Sequence, residues 1–199
     1  MSLKLSYTLL SPFYDLVVGP AFRSARRRSL AALPRGGSGA VLLNGIGTGL
    51  DLPWLPPGCR CVGLDLTRAM LARCARRATN LEFAAVQGDS LALPFRDASF
   101  EHAVLHLILA VVPDAARALA ETVRVVRAGG SILVFDKFLR RGEPEEPVLR
   151  LFSPFAARIV TRLDVIFEDL LPRVPGVRVT SDEPAAAGGW FRLIRLERL

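Results

Sequence analysis

Val41-Leu42-Leu43-Asn44-Gly45-Ile46-Gly47-Thr48-Gly49 is the stretch on which the fold class turns. A short apolar run of strand length passes directly into a loop with glycine at every second position. Glycines there let the backbone approach a ligand where a Cβ would clash. In an open α/β sheet the end of the first strand borders the crevice in which cofactors sit. A dinucleotide fingerprint would need glycine or alanine at position 50, where Leu50 stands. Pro53, Pro56 and Pro57 bar the long helix whose N-terminus would hold a pyrophosphate. The spacing therefore predicts a ligand without a pyrophosphate.

Outward from this loop, short apolar runs alternate with helical stretches. Strands are expected at 40–44, 60–65, 81–86, 100–110 and 131–135. Thr67 is a plausible N-cap for a helix over 68–79, Pro113-Asp114 opens another that runs through Val126, and 127–130 reads as a turn. This alternation predicts an α/β fold, a parallel sheet with helices on both faces. Val177–Thr180 and Trp190–Leu196, around Gly188-Gly189, look like an antiparallel closing pair. A single domain over 1–199 is expected: an N-terminal helical cover (1–35), a cofactor-binding core (38–136), a helical lid or substrate segment (138–172) and the closing strands (176–199).

With 199 residues, 51% hydrophobic and 23% charged, the chain has ample material for a packed core and is not an intrinsically disordered one. Cys59, Cys61 and Cys74 make no even disulfide framework and read as small buried hydrophobes in a reducing, cytoplasmic compartment. Neither they nor His102 and His106 have zinc-ligand spacing, so no metal is expected. The longest apolar stretch, 103–112, is interrupted by His106 and falls short of the roughly 20 residues that span a bilayer. No signal peptide is expected either. The net charge of +7 is carried almost wholly by arginine, Lys4 and Lys137 being the only lysines. Such a surface favours polyanions, nucleic acid or anionic lipid headgroups alike.

Two further markers stand at successive strand ends. A carboxylate at Asp65 can accept both ribose hydroxyls of a nucleoside lying across the sheet, and Gly88-Asp89 offers an acid to the exocyclic amine of adenine. In order with the glycine loop, they describe a nucleoside site without phosphates, which S-adenosyl-L-methionine satisfies. For Asp89 the competing reading is turn chemistry. His106, near the end of the fourth strand, is a candidate for acid–base or cofactor contact, with structural packing the preferred reading. Asp136 ends the fifth strand, where substrate contact and a turn role weigh equally. Tyr14 is a candidate for stacking over cofactor or acceptor, against core packing. His102 reads as structural.

As a set, these segments resemble the class I S-adenosylmethionine-dependent methyltransferases over roughly 38–136. Residues 41–49 look like the family's first motif, Val62-Gly-Leu-Asp-Leu-Thr67 with Met70-Leu71 like the second, and Gln87-Gly-Asp-Ser-Leu-Ala-Leu-Pro-Phe95 like the third. Asp97-Ala-Ser-Phe100 and residues 119–130 continue the match. The quinone C-methyltransferases and the bacterial phosphatidylethanolamine N-methyltransferases are the nearest branches. Ser11-Pro-Phe-Tyr-Asp15 resembles both, and the proline-broken stretch Gly47–Pro56 leans to the phospholipid branch. The resemblance implies a Rossmann-like seven-stranded sheet, mostly parallel with an antiparallel C-terminal strand. It implies S-adenosyl-L-methionine as cofactor, S-adenosylhomocysteine as product, and a quinol-like or amine-bearing lipid acceptor. Carried over residue by residue, the cofactor site comprises Asn44, Gly45, Gly47, Thr48, Gly49, Asp65, Leu66, Met70, Gly88, Asp89, Ser90 and His106.

One departure stands out. Where Leu43 lies, the family usually has an acid credited with touching the methionine amino group. Either Asn44 substitutes, or the loop backbone suffices, or cofactor affinity is reduced. No catalytic base is evident, which favours an amine or an already acidic acceptor.

Phe13, Leu16, Val17, Phe22 and Leu30 lie near Arg23, Arg26, Arg27 and Arg28, and Phe152, Phe155 and Ile159 alternate with Arg150, Arg158 and Arg162. Such segments can contact an anionic membrane peripherally at its inner face. An ordinary solvated face on two cover helices is the preferred reading. Two alternatives of other classes stand beside the methyltransferase. A nucleic-acid methyltransferase rests on charge alone and lacks a recognition domain. A non-catalytic binding domain that keeps the fold is motivated by Leu43.

Overall fold

The computed structural model describes residues 19–34, 39–79, 81–139, 141 and 165–199. Strands β1 (Ala40–Asn44), β2 (Arg60–Asp65), β3 (Glu82–Gln87), β4 (Phe100–His106), β5 (Val126–Lys137), β6 (Val177–Ala186) and β7 (Phe191–Arg198) form one sheet in the order β3-β2-β1-β4-β5-β7-β6. Each pair from β3 to β5 is parallel, and β7 runs antiparallel to both β5 and β6. The seven-stranded, mostly parallel sheet expected from the sequence is the one found.

The inner strands β1, β4 and β5 are mostly apolar on both sides because both faces are covered there. Along β1 and β5 the side chains alternate. Leu42, Ile132 and Val134 enter a core with Leu119 and Val123 of α3 (Ala115–Val125) and Phe167 and Leu170 of α4 (Phe167–Leu170). Val41, Leu43 and Leu133 enter the opposite core with Leu71 and Cys74 of α2 (Arg68–Ala75) and Leu30 of α1, the helix over residues 19–30. All three cysteines are buried and free, in keeping with their reading as hydrophobes.

Several boundaries differ from expectation. Helix α2 stops at Ala75 because Arg77 N bonds Cys74 O and Ala78 N bonds Ala75 O, a tightening that ends the helical ladder. Thr67 stands at its N-cap but makes no side-chain cap bond. Strand β4 stops at His106 rather than Ala110, since Leu107 turns with φ of 59° and donates its N–H to Phe135 O. Residues 127–130 are not a free turn but part of β5, whose register with β4 shifts between Phe100 and His102. Helix α3 begins as read, with Asp114 accepting from Arg117 N at 3.1 Å. Of the apolar–cationic segments, Tyr14, Phe13, Leu16, Val17, Phe152, Phe155, Ile159, Arg150, Arg158 and Arg162 lie outside the described residues. No helix among the described residues is long and apolar enough to cross a membrane.

At the β4–β5 bulge the backbones leave no room for a side chain. A Cβ on Gly130 would stand 2.4 Å from the carbonyl oxygen of Glu101. Gly130→Ala is expected to lower the unfolding free energy by roughly 1–3 kcal/mol, as overpacking does. Denaturant titration checks it, with an unchanged midpoint as the contrary result.

Candidate active site

The sheet order reverses between β1 and β4, which opens a crevice at their carboxyl ends. The glycine loop lines it. Gly45 N and Ile46 N both donate to Leu64 O, folding the loop back over β2. Gly47 has φ of 57°, and a Cβ built on it would have no heavy atom within 4 Å, so its surface faces open space. The loop then meets Pro53 within a short 3-10 turn, Leu52–Trp54, in place of a long helix.

Asp65 closes the loop from the β2 side. Its Oδ2 accepts from Gly47 N at 3.0 Å and its Oδ1 from Thr67 N at 2.8 Å. Burial raises its pKa, against the pull of these two N–H bonds. Gly88 N donates to Asp65 O, which brings the third strand end beside the second. Asp89 is exposed and accepts from Leu91 N at 2.9 Å, so the turn role read for it is present. Leu66 is 43% exposed, an unusual position for leucine, whereas Met70 and Thr48 are buried.

Asn44 and Ser90 turn away from the loop. Asn44 Nδ2 donates to Thr122 Oγ1 at 3.0 Å, and its Oδ1 accepts from Ser90 Oγ at 2.7 Å, both under α3. The amide of Asn44 is thus engaged on the far face from Leu43, which lies in the apolar core beneath α1.

The least expected feature lies between the loop and β4. His106 is buried with both ring nitrogens taken: Nδ1 by Asp51 Oδ1 at 2.7 Å and Nε2 by Ser29 Oγ at 2.9 Å. Arg26 Nη1 bonds the same Asp51 oxygen at 2.7 Å. Burial pushes the Asp51 carboxyl up, but His106 and Arg26 outweigh it and hold it well below the carboxylate range. Arg26 therefore does not belong to a solvated basic face with Arg23, Arg27 and Arg28, as the sequence clustering suggested; the Asp51 carboxylate draws it inward. Sequence reading missed Arg26, Ser29 and Asp51 as site neighbours. Asp51 carried a signal: an acid two residues past a glycine loop whose usual acid is absent.

A protein-family profile described as a methyltransferase domain matches residues 42–134, from β1 to β5. Over 189 residues the chain is 31% identical to a phosphatidylethanolamine N-methyltransferase of Cereibacter sphaeroides, covering 93% of this chain and 92% of that one. The chain belongs to the class I S-adenosylmethionine-dependent methyltransferases. A demethylmenaquinone methyltransferase of Roseiflexus castenholzii is 36% identical over 126 residues, 61% of this chain and half of that one. The fold is shared with geranyl diphosphate C-methyltransferase from Streptomyces coelicolor in complex with S-adenosyl-L-homocysteine, with a TM-score of 0.73 at 16% identity, covering 89% of this chain and 79% of that one. The cofactor of this methyltransferase is S-adenosyl-L-methionine, and the open cradle at Gly47 beside the Asp65 carboxylate fits its nucleoside.

Asp136, at the end of β5, is fully buried and accepts from Ala110 N and Lys137 N. Burial raises its pKa from 3.8 to about 6 against those bonds and the Lys137 charge. A carboxyl whose folded pKa is raised supports folding most below its unfolded pKa, and that support is lost as pH rises through about 6. The shift corresponds to about 3 kcal/mol at most. Relative to Asp136→Asn, the parent methyltransferase is expected to lose stability between pH 4 and pH 7. Parallel stability curves from denaturant titration across that range would count against it.

Proposed function

We propose that this methyltransferase transfers the methyl group of S-adenosyl-L-methionine to a small or lipophilic acceptor, an amine-bearing lipid in first place and a quinol in second. The match along nearly its whole length to a phosphatidylethanolamine N-methyltransferase is the observation that carries the reading. The match to demethylmenaquinone methyltransferases, which covers less of the chain, keeps the quinol beside it. When bound, the cofactor supplies an electrophilic sulfonium methyl.

The chain's own residues bind, orient and exclude water. Gly45, Gly47, Thr48 and Gly49 cradle the nucleoside, Asp65 accepts from the ribose hydroxyls, and Leu66, Met70, Gly88 and Asp89 border the base. Asn44 and Ser90 act from beneath, through their mutual hydrogen bond and the bond to Thr122 that hold the end of β1 against α3. Positioning and desolvation carry much of an in-line transfer. An amine needs only to arrive unprotonated, in keeping with a site where both nitrogens of His106 are committed to protein partners and Asp136 accepts two backbone bonds.

Labelled-methyl transfer across phospholipids, quinols and free amines is expected to give turnover with the phospholipid amine; turnover confined to quinols would transfer the reading to the second acceptor. Asp65→Ala should weaken cofactor binding by about 1–3 kcal/mol, since the ribose hydroxyls lose a charged acceptor. Gly47→Val should weaken it more, by filling the cradle and straining a positive φ. Parent-like calorimetric titrations for both folded variants would overturn the site assignment. With a lipid acceptor, the exposed Arg23 and Arg27 at α1 favour contact with anionic headgroups, each worth on the order of 1 kcal/mol. Co-sedimentation with anionic vesicles should weaken with salt and in Arg23→Gln/Arg27→Gln, whereas equal recovery with anionic and neutral vesicles would leave a soluble acceptor.

A further inference from the structure

We propose that the buried Arg26–Asp51 pair receives the amino-acid end of the cofactor, Asp51 taking the ammonium and Arg26 the carboxylate. The inference rests on the nucleoside placement above and extends it by one strand. The cofactor is covalently linear: base, ribose, sulfonium, amino acid. In the sheet order β3-β2-β1-β4, Asp89 follows β3, Asp65 ends β2 and the glycine loop follows β1. A molecule laid along those strand ends with its ribose at Asp65 brings its amino-acid end to the mouth of β1 and β4. Asp51, in the loop after β1, bonds His106 at the last residue of β4 at that point.

The chemistry of the pair suits a zwitterion. Arg26 Nη1 and His106 Nδ1 both bond Oδ1 of Asp51, and Oδ2 takes part in neither contact. Arg26 Nε is buried with no hydrogen-bond partner, an orphan donor that is costly to leave unmatched. The edge formed by Nε and the adjacent amino group of a guanidinium is one that a carboxylate fills with two bonds. One cation and one anion on the protein meet one anion and one cation on the ligand. The site is then electrically balanced whether empty or full, so no buried charge is stranded on release. The other polar groups nearby are spent or missing: Leu43 is apolar and the Asn44 amide bonds Thr122 and Ser90. Arg26 and Ser29 both reach this point from α1, so the amino-acid end would lie beneath that helix.

Calorimetric binding of two ligands tests the assignment. S-adenosylhomocysteine carries the amino-acid end, and methylthioadenosine has the same nucleoside and sulfur without it. The parent is expected to prefer S-adenosylhomocysteine by about tenfold or more, as charge-assisted bonds require. The variant Arg26→Met/Asp51→Leu removes both charges together, a replacement that buried ion pairs commonly tolerate. It should bind methylthioadenosine as the parent does, and its preference for S-adenosylhomocysteine should fall by about fivefold or more. Any smaller fall overturns the inference, as does a parent without preference. If circular dichroism shows the double variant unfolded, the near-isosteric Asp51→Asn is read by the same ratio and the same threshold. A parent that binds neither ligand overturns the nucleoside placement itself, and this inference with it.

Discussion

A parallel sheet whose strand order reverses between β1 and β4 has a gap at their carboxyl ends that no crossover helix among the described residues fills, and the candidate site is arranged around that gap. The loop after β1 must turn sharply there without covering it. Glycines with positive φ at 45, 47 and 49 make the turn, and the prolines after it keep the chain from entering a long helix over the opening. The same reversal brings the ends of β2 and β4 to either side of the loop. One side is the Asp65 carboxylate, the other the His106 imidazole.

These two sides hold the loop differently. Asp65 binds it through the backbone N–H of Gly47, a local arrangement between neighbouring strands. Asp51 binds through an imidazole from β4 and a guanidinium from α1, joining three segments distant in sequence. Breaking the Arg26–Asp51 bond leaves a buried charge without its partner, which costs more than the pair is worth when intact. The N-terminal helix is thereby fastened to the loop by charge as well as by Leu30 in the apolar core beneath it. Helix α1 and the loop after β1 are thereby joined.

On the opposite face Arg124 serves the loop after β3. It bonds the carbonyls of Leu93 and Phe95 and the carboxylates of Asp97 and Glu121, while Glu121 accepts from Leu93 N. That loop carries Gly88 to Ser90, so Arg124 and Glu121 fasten the segment after β3 to α3.

The sheet, and the marks on which the proposed nucleoside site rests, were legible because their signals are local. Apolar runs of strand length, a glycine loop at a strand end and acids at the next two ends each lie within a few residues, and their order along the chain mirrors their order in a parallel sheet. Strand and helix ends were less legible: Leu107 leaves β4 in a left-handed turn, and 127–130 joins β5, because partners far in sequence decide where pairing stops. The directions of Asn44 and Arg26 were decided by tertiary structure alone. A side chain at a strand end points to one face or the other according to the register of its neighbours, and Asn44 went to Thr122 and Ser90. An arginine among four in one cluster looks like surface. Only the packing of α1 against a carboxylate more than twenty residues away, beside an imidazole farther still, turned Arg26 inward.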